Sequence, residues 1–207
     1  MCMCGGPVFI NYSDADGKFF KRNMEFCAVR GELTRKNVER MTGKKMDIPM
    51  ADAGILASEL LKERPEVCYD VGVVPHLCDL KDPAVEKLLA SYDNAKFINV
   101  KDDPLQVVKE IAECRYIISS SLHGLIVADS LGIPNMYLVF GDRLLGDGYK
   151  FEDYYSAYGV EAQPRDLRTE KAPELTEIEE QYQILPEMVE EKKRQMKAAF
   201  PYPVKNR

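Results

Sequence analysis

The sequence predicts an α/β fold built around a parallel sheet, and three observations carry that expectation. Short β-branched or aromatic runs alternate with amphipathic stretches over most of the 207 residues, the pattern of strand and helix taking turns. Pro104–Cys114 places Leu105, Val108, Ile111 and Ala112 at three- and four-residue spacing, which marks the buried face of a helix opened by proline. Leu122–Leu131 is nearly all apolar and lies between two strand-like runs, as a helix buried on every side does. Three successive strand–helix units of this kind form the kernel of a doubly wound, Rossmann-like domain.

Taken in order, Pro7–Tyr12 and Glu25–Val29 read as strands, and Glu32–Met41 reads as a helix ended by Gly43. Asp52–Leu61 reads as a short helix that closes before Pro65. Few strands are available here for a complete sheet, so residues 1–68 are expected to form a partial lobe that lacks its opening units. Residues 69–168 carry the fuller domain: strand Tyr69–Val74, helix Pro83–Tyr92, strand Ala95–Val100, helix Pro104–Cys114, strand Tyr116–Ser119, helix Leu122–Leu131 and strand Pro134–Phe140. Residues 169–207 turn acidic and helical. Pro186 divides Glu174–Gln183 from Glu187–Phe200, and both segments are expected to pack back across the first lobe.

Composition narrows the class of partner. A net charge of −6 lacks the clustered Lys and Arg excess that binding to a phosphate backbone needs, so no nucleic-acid partner is expected. No run approaches the roughly 20 apolar residues that cross a bilayer. The start of the chain has no basic flank followed by an apolar stretch, and the expected compartment is the cytoplasm. The cysteines at 2, 4, 27, 68, 78 and 114 form no C-x-x-C pair and only two histidines accompany them. They are read as reduced thiols, and no metal is expected.

The segment from Ile118 through Ser119-Ser120-Ser121-Leu122-His123-Gly124 to Gly132-Ile133-Pro134-Asn135 carries the most chemistry. A strand ends in serines where a buried helix begins. Unpaired backbone N–H groups, hydroxyls and the positive end of a helix dipole meet there and suit a phosphate or carboxylate. Open α/β sheets also bind their ligands at the carboxyl ends of strands. In isolation, the same residues read as a helix cap at Ser120 or Ser121 beside a satisfied core histidine.

The whole string resembles the small-residue, Leu-His-Gly/Ala, apolar-helix, Gly-Ile/Val-Pro segment of the polysaccharide pyruvyl transferase family. Three further segments resemble that family in order: Cys27-Ala28-Val29-Arg30-Gly31-Glu32-Leu33-Thr34, Gly72-Val73-Val74-Pro75-His76, and Gly148-Tyr149-Lys150-Phe151-Glu152-Asp153-Tyr154. Gly5-Gly6-Pro7-Val8-Phe9-Ile10 resembles a Gly-containing strand in the middle of the family's first domain. Family members very often have Arg before Leu-His, where this chain has Ser121. The resemblance implies two facing Rossmann-like lobes, as in B-type glycosyltransferases, the first incomplete at its N-terminal side. It also implies transfer of the pyruvyl part of phosphoenolpyruvate, a donor substrate and not a cofactor, onto a sugar of an exopolysaccharide or cell-wall glycan. The acceptor would often be built on a lipid carrier at the inner face of the membrane.

Carried across by motif, Arg30 comes from the first lobe, and His123 and Lys150 from the second. Arg30 would grip an anionic group bidentately and Lys150 would add a point charge. Ser120 and Ser121 would donate to the same anion. His123 is expected to deliver the proton that makes the central carbon of phosphoenolpyruvate cationic, or to orient the leaving phosphate. Each has a plainer reading, a surface arginine at a strand end for Arg30 and an exposed helix-start lysine for Lys150. His76 either faces the cleft or merely shapes a turn with Pro75. Asp52, Asp79, Asp102 and Asp103 are candidates for acceptor contacts, with Asp102-Asp103-Pro104 the expected cap of the next helix. A B-type glycosyltransferase using a nucleotide sugar and a non-catalytic family member remain open as alternatives at this stage.

Overall fold

The computed structural model describes residues 25–141 and 148–201, so the strand expected at Pro7–Tyr12 lies outside the described residues. Five parallel strands form one sheet in the order β2-β1-β3-β4-β5, from β1 (Tyr69–Val74), β2 (Ala95–Phe97), β3 (Cys114–Ser119), β4 (Asn135–Val139) and β5 (Arg165–Asp166). From β1 the chain steps outward to β2, then returns to the opposite side of β1 with β3. The order therefore reverses between β1 and β3, and in a doubly wound sheet that reversal opens a crevice beyond the carboxyl ends of those two strands. Register across the pair runs from Tyr69 opposite Cys114 to Val74 opposite Ser119.

The helices between the strands start where the sequence signals them. Asp82 accepts from the Ala84 N–H ahead of α2 (Pro83–Leu89), and Asp103 accepts from Leu105 and Gln106 ahead of α3 (Pro104–Ala112). In both, proline occupies the first turn, where its missing N–H costs nothing. Of the expected α3 face, Val108, Ile111 and Ala112 are buried, whereas Leu105 in the first turn stays exposed. The helix α4 (Leu122–Ser130) buries almost its whole circumference. Gly124 permits this closeness, since a Cβ there would stand 2.5 Å from Ser119 Oγ and 2.9 Å from Val74 Cγ1.

The segment before β1 differs from expectation. Glu25–Val29 is not a strand: only Val29 pairs, in a single parallel bridge to Met50, held by hydrogen bonds to Pro49 O and from Ala51 N. Two bonds satisfy this short stretch, and Ala28 and Ala51 are buried beside Met196 instead of against a wider sheet. The segment continues through α1 (Glu32–Thr42) and a 3₁₀ turn (Ala53–Leu60) that packs chiefly on α4.

The start of α1 is capped from another part of the chain. Its N-cap is Gly31, which has no side chain to satisfy the orphan N–H groups. The helix α5 (Tyr149–Ser156) supplies the acceptors: Asp153 takes the Thr34 N–H at 2.8 Å and the Thr34 hydroxyl at 2.6 Å, and Ser156 Oγ takes the Glu32 N–H at 2.9 Å. Gly31 is required by space, because a Cβ there would lie 1.6 Å from the Asp153 carbonyl oxygen. The Arg30 Nε also donates to Asp153, at 3.1 Å, with both side chains buried. Helix α5 itself starts at Gly148 in the left-handed region (φ 82°), a conformation that favours glycine.

The last two helices, α6 (Leu175–Gln181) and α7 (Pro186–Ala199), follow β5. Helix α7 buries Val189, Lys193 and Met196, Lys193 donates to the Ser130 carbonyl at 2.9 Å, and Lys197 pairs with Glu59 at 2.5 Å. It therefore joins the end of α4 to the 3₁₀ turn.

A second buried carboxylate organises the core. Asp129 is fully buried, and its oxygens accept from Tyr154 OH (2.6 Å), Asn135 Nδ2 (2.6 Å) and Tyr182 OH (2.9 Å). Burial pushes its pKa from 3.8 up to about 6 against the pull of those three hydrogen bonds. The native state thus holds the proton more tightly than the unfolded chain, so this group adds stability as pH falls through about 6 towards 4 and is a cost at neutrality. Asp129→Asn is expected to flatten that segment of the stability profile, read as the difference in urea midpoints between variant and parent; parallel profiles would contradict the assignment. Asp153→Ala strands the buried Arg30 and two α1 donors, and removing one partner of a buried pair costs about 3–5 kcal/mol. A urea unfolding free energy within about 0.5 kcal/mol of the parent would show that the α1–α5 contact does not hold this junction.

Candidate functional site at the carboxyl ends of β1 and β3

Two loops leave the sheet at its point of reversal. After Val74, Pro75-His76-Leu77-Cys78-Asp79 turns back on itself, with the Asp79 N–H bonded to the His76 carbonyl at 2.8 Å. After Ser119, Ser120 and Ser121 lead into α4. Ser119 Oγ lies 2.7 Å from the Val74 carbonyl and accepts from the Ser121 N–H at 2.9 Å, which keeps the two strand ends together.

Ser120 joins the two loops directly. Its hydroxyl, fully buried, accepts from the His76 backbone N–H at 2.8 Å and donates to Asp79 Oδ2 at 2.7 Å. Ser120 therefore caps no helix. Ser121 is the N-cap residue of α4 by position but makes no side-chain cap bond. His76 belongs to the site as well as to the turn, with its Nδ1 3.0 Å from Cys78 Sγ.

The cations approach from elsewhere in the chain. Lys150, in the first turn of α5, is half-buried, and burial holds its amine below the ordinary value. Cys78 and Asp79 pull that value up and Arg30 pushes it down, so Lys150 lies within electrostatic reach of all three. His76 is also held below its usual value, first by burial and next by Lys150, with Asp79 opposing. Arg30 is buried, not a surface arginine. Lys150 thus stands within electrostatic reach of Arg30 on one side and of the His76–Asp79 turn on the other.

His123 stands in the first turn of α4, three residues after Ser120, and it is not a core histidine: its side chain is 70% exposed. Its Nε2 lies 3.8 Å from Oδ1 of the buried Asp52, which also caps the 3₁₀ turn through the Gly54 N–H. His123 therefore faces the segment before β1. Of the other carboxylates, Asp103 caps α3 and Asp102 accepts from Asn99, while Asp79 lies within the site. Sequence reasoning missed Cys78 and Asp153. Cys78 stands two residues after His76, and Asp153 one helical turn after Lys150, so both positions were open to inspection.

Among the described residues, no helix is long and apolar enough to cross a membrane. A family model, polysaccharide pyruvyl transferase, matches residues 12–140. An uncharacterized protein of Acanthamoeba polyphaga mimivirus is 34% identical over 149 residues, covering 70% of this chain and 52% of that protein. The chain thus spans about half the length of this curated relative. No solved structure matches the chain. The ordered strand-end motifs and the family match over residues 12–140 lead to one conclusion: this chain belongs to the polysaccharide pyruvyl transferase family.

Proposed function

We propose that the protein transfers the pyruvyl group of phosphoenolpyruvate to a pair of sugar hydroxyls of a glycan, forming a pyruvate ketal and releasing phosphate. The observation that supports this reading is that Lys150 lies within electrostatic reach both of Arg30 and of the loop after β1 that Ser120 anchors, where the strand order reverses. Phosphoenolpyruvate carries a phosphate and a carboxylate, and a half-buried amine beside a buried guanidinium is matched to such a doubly anionic ligand. Exposed cations would hold it weakly against solvent and salt.

In this reaction the methylene carbon of phosphoenolpyruvate gains a proton and becomes methyl, while one sugar hydroxyl loses its proton and bonds to the central carbon. The second hydroxyl then bonds to that carbon as the carbon–oxygen bond to phosphate breaks, and its proton leaves with the phosphate. His123 supplies the first proton or steadies the departing phosphate. Asp52, 3.8 Å from its ring, orients the imidazole towards the segment before β1. That segment, with Arg30, acts as the face of a first lobe opposite residues 69–168, and α7 ties back to it through Lys197 and Glu59, while α6 packs on β3 and β4. Ser121 leaves the α4 N-terminus without the arginine frequent in the family, so Arg30 and Lys150 carry the anion's charge.

Phosphate release from phosphoenolpyruvate is measured with a panel of free and lipid-linked hexosides that offer vicinal or 1,3-related hydroxyl pairs. Turnover with at least one hexoside is expected, reduced by about 10²–10⁴-fold in His123→Gln, the range for loss of a positioned acid. Unchanged turnover in that variant would remove His123 from the chemistry. A melting temperature raised by a nucleotide sugar but not by phosphoenolpyruvate would replace this reading with glycosyl transfer.

A further inference from the structure

The turn after β1 brings three different metal-ligating side chains together. His76 Nδ1 lies 3.0 Å from Cys78 Sγ, Cys78 Sγ lies 3.5 Å from Asp79 Oδ1, and all the ligand atoms fall within 4.8 Å of one another. We propose that His76, Cys78 and Asp79 bind a thiophilic divalent cation, zinc above all, with one coordination position left open. This goes beyond pyruvyl transfer and does not depend on it.

Bonds of about 2.0–2.3 Å at tetrahedral angles set zinc ligand atoms roughly 3.3–3.8 Å apart, so the trio needs only small side-chain adjustments. An imidazole, a thiolate and a carboxylate are all zinc donors, whereas the sulfur disfavours magnesium and calcium, which take oxygen. The two anionic ligands balance a dication. Three protein ligands with a vacant fourth position is the arrangement of reactive zinc sites, and four protein ligands that of structural ones.

The turn is built to hold this geometry before any ion arrives. The Asp79 N–H to His76 carbonyl bond fixes the backbone between the first and last ligand. Ser120 Oγ holds Asp79 Oδ2 at 2.7 Å, leaving Oδ1 facing Cys78, and it also anchors the His76 N–H. Such outer partners orient ligands and contribute much of a site's affinity. The nearby Lys150 opposes a cation, yet an anion held by Lys150 and Arg30 would present an oxygen to the open position. Zinc-spacing rules overlook this trio because its ligands fall at positions i, i+2 and i+3 of one turn, with no paired cysteines.

The test is a titration of the full-length chain, freed of metal and reduced, with cobalt(II) in the absence of phosphoenolpyruvate. A thiolate-to-cobalt charge-transfer absorption saturating at one equivalent, with intense visible bands of a tetrahedral ion displaced by zinc, is expected. Cys78→Ser should abolish the charge-transfer absorption, while Cys68→Ser, an exposed thiol elsewhere, should leave it. Ser120→Ala should weaken affinity by about 10–100-fold. Absence of the absorption, or its persistence in Cys78→Ser, would overturn the proposal. Circular dichroism confirms that each variant folds, and should Cys78→Ser fail to fold, His76→Ala decides: unchanged cobalt affinity there overturns the site.

Discussion

Asp153 has two oxygens and three donors to satisfy, and the rest of the site depends on how they are shared. Its carboxylate accepts from the Thr34 N–H and hydroxyl and from Arg30 Nε, all buried. Because Gly31 cannot cap α1, the helix starts stably only where α5 brings that carboxylate to it. Close approach of the two backbones, which Gly31 alone permits, then places Arg30 beside the first turn of α5, where Lys150 stands. One contact thus serves both helix capping and burial of a guanidinium, on the helix that carries Lys150. A buried ion pair of this kind contributes little net stability over an apolar substitute, but breaking it is costly, so it fixes position more than it adds strength.

Ser120 does at the sheet what Asp153 does at the helices. One hydroxyl spans the reversal of strand order by bonding both ends of the loop that follows β1. Small side chains at Ser119 and Gly124 let α4 sit directly on β3 and against Val74 at the end of β1, and that packing carries His123 to the rim opposite Asp52. The acidic chain therefore gathers its few local cations around donors already arranged by backbone geometry.

Much of this arrangement was legible in the sequence because it rests on local rules. Proline at Pro83 and Pro104, the second preceded by an expected aspartate cap, marked two helix starts, and the apolar run Leu122–Leu131 marked the buried helix. Strand ends at Val74 and Ser119 followed from β-branched runs, so the site's place at strand carboxyl ends could be anticipated. The Glu25–Val29 run misled because β-propensity describes what fits a half-buried pleat, and only Val29 finds a partner there. β5, two residues long, has too little pattern to be seen. Asp129 and Asp153 were invisible as organising groups because their donors, Tyr154, Asn135 and Tyr182 for one, Arg30 and Thr34 for the other, come largely from distant parts of the chain. Strand order, which puts β1 beside β3 and so His76 beside Ser120, likewise required coordinates.

The central claim is that Arg30 and Lys150, 120 residues apart in sequence, act on one bound dianion. A double-mutant cycle on phosphoenolpyruvate affinity, by isothermal titration of the parent, Arg30→Ala, Lys150→Ala and the double variant, measures this directly. Shared contact with one ligand predicts a coupling of about 0.5–3 kcal/mol, the second substitution costing less once the first is made. Strictly additive losses, or no effect of either substitution on binding, would contradict it.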